Sequence, residues 1–305
     1  IFMYTSLVRG LPVALASMAL PALAALAATM PAPSVTILSP AAGSTVTASE
    51  IPVAVAAKDF TVECAHVGQP GSPGRGHFHV MLDGMTMDQL TNFYCSNHFT
   101  LSGAGLKPGK HELAVVLATD AHDDASKPAV VSFSYEPRNP QLLPAPKVES
   151  GKPSVAILSP AAGAAVGKQF DLKLAVRHFT ASCDLEGRSN IAGYGHIHVF
   201  VTQAGVTDKP SWKPEMAMSP MGQMKGESPK GGEMKGGEMK GGEMKGGEMQ
   251  MMSMVGMIGM PCTTTVPVDL SAWHQGKAKI VVMLVGNDHN PLPGLTPAAI
   301  TVNVR

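Results

Sequence analysis

Two short stretches of the sequence place two histidines two residues apart. The first, GHFHVMLDG, holds His77 and His79, and the second, GHIHVFV, holds His196 and His198. Both stretches are typical of strands, in which side chains two residues apart share a face. Two imidazoles on one face, joined by a third from a neighbouring strand, can bind a zinc or copper ion.

A third histidine recurs in each half of the chain, as His122 in TDAHDD and His289 in GNDHNP. With these two, each half has a candidate set of three metal ligands. The nearby Asp83, Asp120 and Asp288 can orient the ring N–H groups of such ligands. The alternative is structural: the histidines satisfy backbone groups at the edge of a β-sandwich and were duplicated together with their surroundings.

The histidines belong to a tandem duplication. PSVTILSPAAGSTV at 33–46 and PSVAILSPAAGAAV at 153–166 are identical at eleven of fourteen positions. Two further segments of the first half, KDFTVEC and PGKHELAVVLATDAH, match RHFTASC and QGKAKIVVMLVGNDH of the second half. The matching segments occur in the same order in both halves. Self-similarity of this kind indicates two copies of one structural unit.

Each copy must supply the strands that position these histidines. Short runs rich in Val, Ile, Phe and Thr alternate with period two and are separated by Gly, Pro and Asp, a pattern that predicts strands joined by turns. We therefore predict an all-β protein made of two tandem immunoglobulin-like antiparallel β-sandwiches. The predicted domains span 31–136 and 153–305, and a Pro-rich linker at 137–152 joins them.

The beginning of the chain predicts export. Arg9 precedes GLPVALASMALPALAALAA, an apolar run that ends in small residues, so residues 1–28 are predicted to be a cleavable signal peptide. The alternative is an uncleaved membrane anchor, and Pro12 and Pro21 favour the signal. No later segment is apolar over the roughly 18 residues that a membrane helix needs. We expect a periplasmic or secreted protein with no membrane span after cleavage.

The four cysteines occupy equivalent places in the two copies. Cys64 aligns with Cys183, and Cys95 aligns with Cys262. In an exported protein this arrangement predicts one disulfide in each domain, Cys64–Cys95 and Cys183–Cys262. The alternative is that the cysteines are thiolate ligands of a metal.

The second domain carries a Gly-, Met-, Lys- and Glu-rich insertion at 204–260, with four consecutive copies of KGGEM. Such a low-complexity segment is predicted to be disordered. Thioethers are soft ligands that bind Cu(I); the alternatives are methionines that trap oxidants and a linker with no specific role. The candidate Cu(I) ligands are Met216, Met218, Met221, Met224, Met249, Met251, Met252, Met254, Met257 and Met260.

The charge and the motifs limit the function classes. The chain has 23 basic and 23 acidic residues, which argues against binding nucleic acid through a basic surface. We predict a non-enzymatic, metal-binding protein that uses Cu(I), Cu(II) or both, with zinc as a possible ligand. One alternative is a structural or interaction module of the cell envelope, with a protein partner and no metal. Another is a zinc-dependent enzyme, although no G-x-S-x-G elbow or clear general base is present.

Two resemblances add to this interpretation. The GHxHV…D strand followed by PGKHxLxVxLxxxxH resembles a group of small secreted bacterial immunoglobulin-like domains. That resemblance covers both copies and implies a periplasmic β-sandwich without an established activity. The Met-rich insertion is similar in composition to periplasmic copper-resistance proteins, which implies copper as the ligand.

Overall fold

The structure is a computed structural model, and it describes residues 31–143, 151–207 and 254–305. The predicted signal peptide at 1–28 lies outside the described residues, and the predicted linker at 137–152 is described only in part. None of the described residues belongs to a helix that is long and apolar enough to cross a membrane.

The first repeat contains nine strands among its described residues and one short 3₁₀ turn at Met87–Gln89. The strands are β1 (Ser34–Ser39), β2 (Thr45–Val46), β3 (Glu50–Lys58), β4 (Thr61–Val62), β5 (Arg75–Leu82), β6 (Leu90–Tyr94), β7 (His98–Ser102), β8 (Gly109–Thr119) and β9 (Ala129–Tyr135).

The described part of the second repeat contains the nine equivalent strands in the same order. They are β10 (Ser154–Ser159), β11 (Ala165–Val166), β12 (Gln169–Arg177), β13 (Thr180–Ala181), β14 (Tyr194–Thr202), β15 (Met257–Gly259), β16 (Thr265–Asp269), β17 (Gly276–Val285) and β18 (Ala298–Val304).

Each repeat builds two sheets with the same strand order. In the first repeat a three-stranded sheet, β1-β3-β7, faces a six-stranded sheet, β2-β9-β8-β5-β4, in which β6 also pairs with β5. The second repeat has β10-β12-β16 and β11-β18-β17-β14-β13, with β15 on β14. The pairs β2–β9, β4–β5 and their equivalents are short and parallel, and the others are antiparallel. This arrangement confirms the predicted fold of two tandem immunoglobulin-like β-sandwiches.

Along β5 and β14, alternate side chains point to opposite faces of the six-stranded sheet. One of these faces packs in the core of its own sandwich. Phe78, Val80 and Leu82 are buried there against Ile51, Val53 and Val55 of β3. The second repeat uses Ile197, Val199 and Val201 against Leu172 and Leu174 of β12 in the same way. The histidines of both strands therefore lie on the opposite face of the sheet.

Both predicted disulfides are present. Cys64 bonds Cys95 with a Cα–Cα distance of 5.5 Å, and Cys183 bonds Cys262 with a Cα–Cα distance of 5.4 Å. In the first repeat the bridge joins the chain just after β4 to the chain just after β6. In the second repeat it joins the chain just after β13 to the chain just after β15. The alternative of thiolate metal ligands is wrong, because no cysteine of the described residues is free.

The second face of each six-stranded sheet is also buried, because the two repeats pack on each other within one compact unit. A separate hydrophobic cluster, here called the interface cluster, is formed by residues from both repeats. Its buried members are Met81, Leu90, Ala114 and Val116 from the first repeat, and Phe200, Met257, Met260, Val281, Met283 and Val285 from the second.

The C-terminal end of the predicted insertion is part of the folded domain. Residues 257–259 form β15, which pairs with β14. Met257 is fully buried, and Met260 is nearly so. The prediction of a disordered segment up to residue 260 is therefore wrong for 254–260, because these residues supply a strand and apolar side chains to the interface.

Candidate metal centre

The structure brings the six predicted histidines together as two groups of three. In the first triad, defined as His77, His79 and His122, the His77 Nε2 atom lies 3.0 Å from His79 Nε2 and 3.0 Å from His122 Nδ1. The third edge, from His79 Nε2 to His122 Nδ1, is 3.1 Å. Three ring nitrogens from two different segments therefore converge on one point.

The second triad, defined as His196, His198 and His289, repeats two of these three edges. His196 Nε2 lies 3.0 Å from His198 Nε2 and 3.0 Å from His289 Nδ1. All three side chains have a ligand atom within 4.8 Å of the other two. Each triad thus pairs two Nε2 atoms of a strand with one Nδ1 atom of a turn.

A glycine at the start of the histidine strand makes this approach possible. A Cβ atom on Gly76 would lie 2.0 Å from the carbonyl oxygen of Ala118, and one on Gly195 would lie 1.9 Å from that of Val285. Both neighbours are backbone atoms that cannot move aside. Because glycine has no Cβ, β5 and β14 can lie against the ends of β8 and β17, where the turns with the third histidines begin.

The third histidine of each triad sits in a tight turn in the left-handed backbone region. His122 has φ 67° and His289 has φ 62°. The His122 backbone N–H donates to Thr119 O at 2.9 Å, and the His289 N–H donates to Gly286 O at 3.1 Å. Left-handed backbone is uncommon for residues other than glycine, and conformations of this kind cluster at functional sites.

Each third histidine also bonds the opposite repeat. His122 Nε2–H donates to the carbonyl oxygen of Met257 at 3.0 Å, and His289 Nε2–H donates to that of Leu90 at 2.5 Å. A neutral imidazole whose Nε2 carries the proton has a lone pair on Nδ1. These two hydrogen bonds therefore fix the tautomer in which Nδ1 faces the triad as a lone pair.

The interface removes the triads from solvent. His77, His79, His122 and His196 are 0% exposed, and the two remaining histidines are exposed by only a few per cent. In the first triad the ring of Phe93 lies 5.0 Å from that of His77. The prediction placed these histidines at the edge of a sandwich as one alternative; they lie instead between two sheets.

Burial keeps the imidazoles neutral. It lowers the pKa of His122 and of His289 to about 4. Burial also lowers the pKa of His77, His79, His196 and His198 well below the usual value, and the neighbouring histidines add to the effect. His289 of the second triad contributes to the shift of His79 in the first. Neutral imidazole is the form that binds a metal.

Three neutral imidazole nitrogens cannot all hydrogen-bond to one another in a triangle. Each nitrogen either carries a proton and donates, or has a lone pair and accepts. Around a closed ring of three, at least one short edge must join two donors or two acceptors. All three edges of the first triad are 3.1 Å or shorter, so every tautomer leaves at least one of them repulsive.

A metal ion resolves that conflict, because it accepts all three lone pairs. Ligands about 2.0 Å from a tetrahedral zinc ion are roughly 3.3 Å apart, which is close to all three nitrogen–nitrogen distances of the first triad and to two of the second. The two histidine triads can therefore hold a metal ion. A third group that could hold one comprises Cys183, Glu186 and Cys262, but with its cysteines in a disulfide it offers a carboxylate and no thiolate.

The aspartates that were predicted to orient the histidines form hydrogen bonds with other side chains. Asp83 accepts a hydrogen bond from His111 Nδ1 at 2.8 Å, Asp120 accepts one from Arg75 at 2.8 Å, and Asp288 accepts one from Asn190 at 2.6 Å. The prediction is wrong, because these carboxylates bond other side chains and none of these bonds involves a triad histidine. Backbone carbonyls of the opposite repeat orient the third histidines instead.

The predicted methionine ligands divide into two groups. Met254, Met257 and Met260 lie in or against the interface cluster, where they are packed as apolar side chains. The other candidate Cu(I) ligands lie outside the described residues: Met216, Met218, Met221, Met224, Met249, Met251 and Met252.

One buried polar residue near the site was missed by the sequence analysis. Glu186 is 4% exposed, and its Oε1 atom lies 4.0 Å from His196 Nδ1. Its Oε2 atom accepts a hydrogen bond from Asn92 Nδ2 of the first repeat at 3.1 Å. The alignment of the two repeats could have indicated Glu186, since the aligned residue of the first repeat is the apolar Val67.

No family model matches this sequence, and no curated protein is similar enough to count as a match. Three N-terminal domains of the bacteriophage RB49 highly immunogenic outer capsid protein align with 90% of this chain and 69% of theirs, at 10% identity and a TM-score of 0.18. The four N-terminal Ig domains of Dscam1 isoform 6.44 align with 89% and 45%, at 9% identity and a TM-score of 0.17.

Replacing the glycine before the first histidine tests the close approach of the strands. We expect Gly76→Ala to lower the free energy of unfolding by about 1–3 kcal/mol, because its Cβ meets a backbone oxygen. Urea unfolding measures the change. Gly167→Ala is the matched control, since its Cβ would lie 3.6 Å from the nearest atom. Equal effects of the two substitutions would contradict the steric role of Gly76.

The histidine pKa values predict how the stability of the metal-free protein depends on pH. Below pH 6.5 an unfolded chain binds protons at these histidines, whereas folded His122 and His289 bind them only near pH 4. The free energy of unfolding should therefore fall as the pH drops from 6.5 to 4, by up to about 1.4 kcal/mol per unit for each histidine. Urea titrations over this range measure it.

Carboxyl groups with raised pKa values act in the opposite direction, and a variant separates the two effects. Burial raises the pKa of Asp124 to about 6 and raises the pKa of Asp120 and Glu186. The double variant His122→Asn, His289→Asn keeps these groups and should show a weaker loss of stability toward pH 4. An unchanged slope in the double variant would contradict the histidine origin.

Proposed function

We propose that this chain is an exported, non-enzymatic protein that binds metal ions, with copper as the physiological ligand. The observation that carries the proposal is the closed triangle of ring nitrogens in His77, His79 and His122, with edges of 3.0, 3.0 and 3.1 Å. No arrangement of protons satisfies that triangle, and one cation does. The second triad repeats the same ligand set.

The choice of copper rests on the methionines as well as the histidines. Neutral imidazole suits both zinc and copper, whereas thioethers are soft and select Cu(I). Thirteen of the twenty methionines lie between Met216 and Met260. In the proposal the histidine triads hold Cu(II) or Cu(I), and the methionine segment holds Cu(I).

Two features support a role in sequestration or delivery rather than catalysis. The triads are buried, and a catalytic metal needs an open coordination position that water or substrate can reach. The two disulfides suit an oxidising compartment such as the periplasm or the cell exterior. Release of a buried ion would require the repeats to separate, which a receiving partner in the envelope can promote.

Metal titration of the purified mature chain tests the proposal. We expect saturable uptake of one Cu(II) or Zn(II) per triad, because each triad presents three neutral imidazoles. The double variant His77→Ala, His79→Ala should lose one equivalent. His111→Ala is the matched control, because His111 lies outside both triads and should retain both equivalents. Failure of the wild-type chain to bind any ion more tightly than millimolar would exclude the proposal.

A deletion separates the methionine segment from the triads. Removal of residues 210–250 leaves the strand β15 and the buried Met257 in place, so the fold should persist. We expect this variant to bind less Cu(I) than the full chain and as much Zn(II). Unchanged uptake of Cu(I) would show that the segment is not a copper site.

One observation favours a second candidate function, a structural or interaction module without metal. His122 and His289 donate hydrogen bonds across the interface, so the histidines also hold the repeats together. If that is their whole role, His77→Ala with His79→Ala lowers the melting temperature and changes no metal uptake. The same two variants therefore distinguish the candidates.

A further inference from the structure

The two triads have the same ligands, but the buried acidic residues near them differ. In the first repeat Asp120 is ion-paired with Arg75 and aligns with Asn287 of the second. Glu186 follows Cys183 by three residues, and Val67 follows Cys64 by three residues. Both side chains are almost completely buried. The second repeat therefore holds a carboxyl group at a position where the first repeat holds an isopropyl group.

The carboxyl group of Glu186 lies behind one ligand of the second triad. The Nε2 atom of His196 faces the triad, and its Nδ1 atom lies 4.0 Å from Glu186 Oε1. His196 Nδ1 has no hydrogen-bond partner among the described residues. Asn92 holds the other carboxyl oxygen at 3.1 Å. A small rotation of either side chain would bring Nδ1–H and Oε1 within hydrogen-bond distance.

A carboxylate in this place acts on the metal through the imidazole. In its ionised form, which a nearby cation favours, it accepts the Nδ1 proton, makes Nε2 a stronger donor to the ion, and fixes the ring orientation. Its negative charge also attracts the ion directly, and that attraction doubles between a univalent and a divalent ion. Burial strengthens the attraction, because the effective dielectric constant is lower than in water.

The same carboxyl group borders an opening between the repeats. A cleft of about 230 Å³ is lined by residues of both repeats, among them Asn92, Tyr94, Asp184, Glu186 and Arg188. Glu186 lines this cleft, whereas His196 does not. The carboxyl group is therefore placed both to attract a cation and to support the ligand that receives it.

We propose that Glu186 makes the two triads unequal, so that the second triad prefers a divalent ion whereas the first, with Val67 at the position equivalent to Glu186, does not. This inference rests on the proposed metal-binding function. Glu186 is a positioning and selectivity residue in it, since it acts on the ion through His196. One chain then carries two histidine sites of different charge preference.

The test compares Zn(II) with Cu(I) in the full mature chain, and it reads each triad separately from its imidazole NMR signals. In the wild-type chain we expect the second triad to fill at about 10- to 100-fold lower free Zn(II) than the first, the range typical of such supporting carboxylates. Glu186→Gln should remove most of that gap. For Cu(I) the two triads should differ much less, and Glu186→Gln should change little.

Asp184→Asn is the matched control. It removes the same formal charge two residues away, from a side chain that is exposed, and should keep the Zn(II) gap. Glutamine retains an oxygen that can accept the Asn92 hydrogen bond, so the fold should persist. A loss of Zn(II) and Cu(I) affinity in equal proportion, or no loss of either, would overturn the role of Glu186.

The wild-type chain alone also shows whether the two triads differ in Zn(II) affinity. This measurement does not depend on the folding of any variant. Equal Zn(II) affinities of its two triads would overturn the inference and leave the proposed metal-binding function intact. Absence of both ions from both triads would instead remove the proposed function, and the inference with it.

Discussion

The contact between the two six-stranded sheets is the interaction on which the rest of the structure depends. Each sheet has a face that its own sandwich does not cover, and the other repeat covers it. The contact is reciprocal: His122 of the first repeat bonds Met257 of the second, and His289 of the second bonds Leu90 of the first. It buries the histidines, keeps them neutral and supplies the acceptors that fix two of their tautomers. An isolated repeat would lack these acceptors, because each carbonyl comes from the opposite repeat.

Much of this could be predicted from the sequence, because duplication and alternation are local patterns. Alternation placed Phe78 on the core face and His77 on the other, and aligned cysteines gave both disulfides. What covers the histidine face could not be predicted, since the contact joins residues far apart in the chain. The roles of Leu90 and Met257 depend on backbone carbonyls, which carry no side-chain signature. Asp120 was misassigned because spacing cannot show that Arg75 takes its carboxylate.

The features that make the triads good metal sites also hinder the entry of a metal ion. Neutral, converging imidazoles need a site without water, and the structure provides it by burying them between sheets. The interface cluster includes Met81, Met257 and Met283, whose flexible thioethers tolerate small shifts of one sheet against the other. Metal binding and closure of the repeats should therefore stabilise each other, because an ion bound only in the closed state favours that state.

The reciprocal contact resembles the interface of a two-fold symmetric dimer, in which the same patch is used twice. Here both patches belong to one chain. A dimer of separate repeats would dissociate on dilution and lose both sites together, whereas this pairing is independent of protein concentration. Two repeats in one chain can also differ in sequence. In a homodimer a substitution appears in both subunits, whereas here Glu186 occurs in the second repeat alone. Covalent linkage thus lets one half of a symmetric assembly diverge while the other stays as it was.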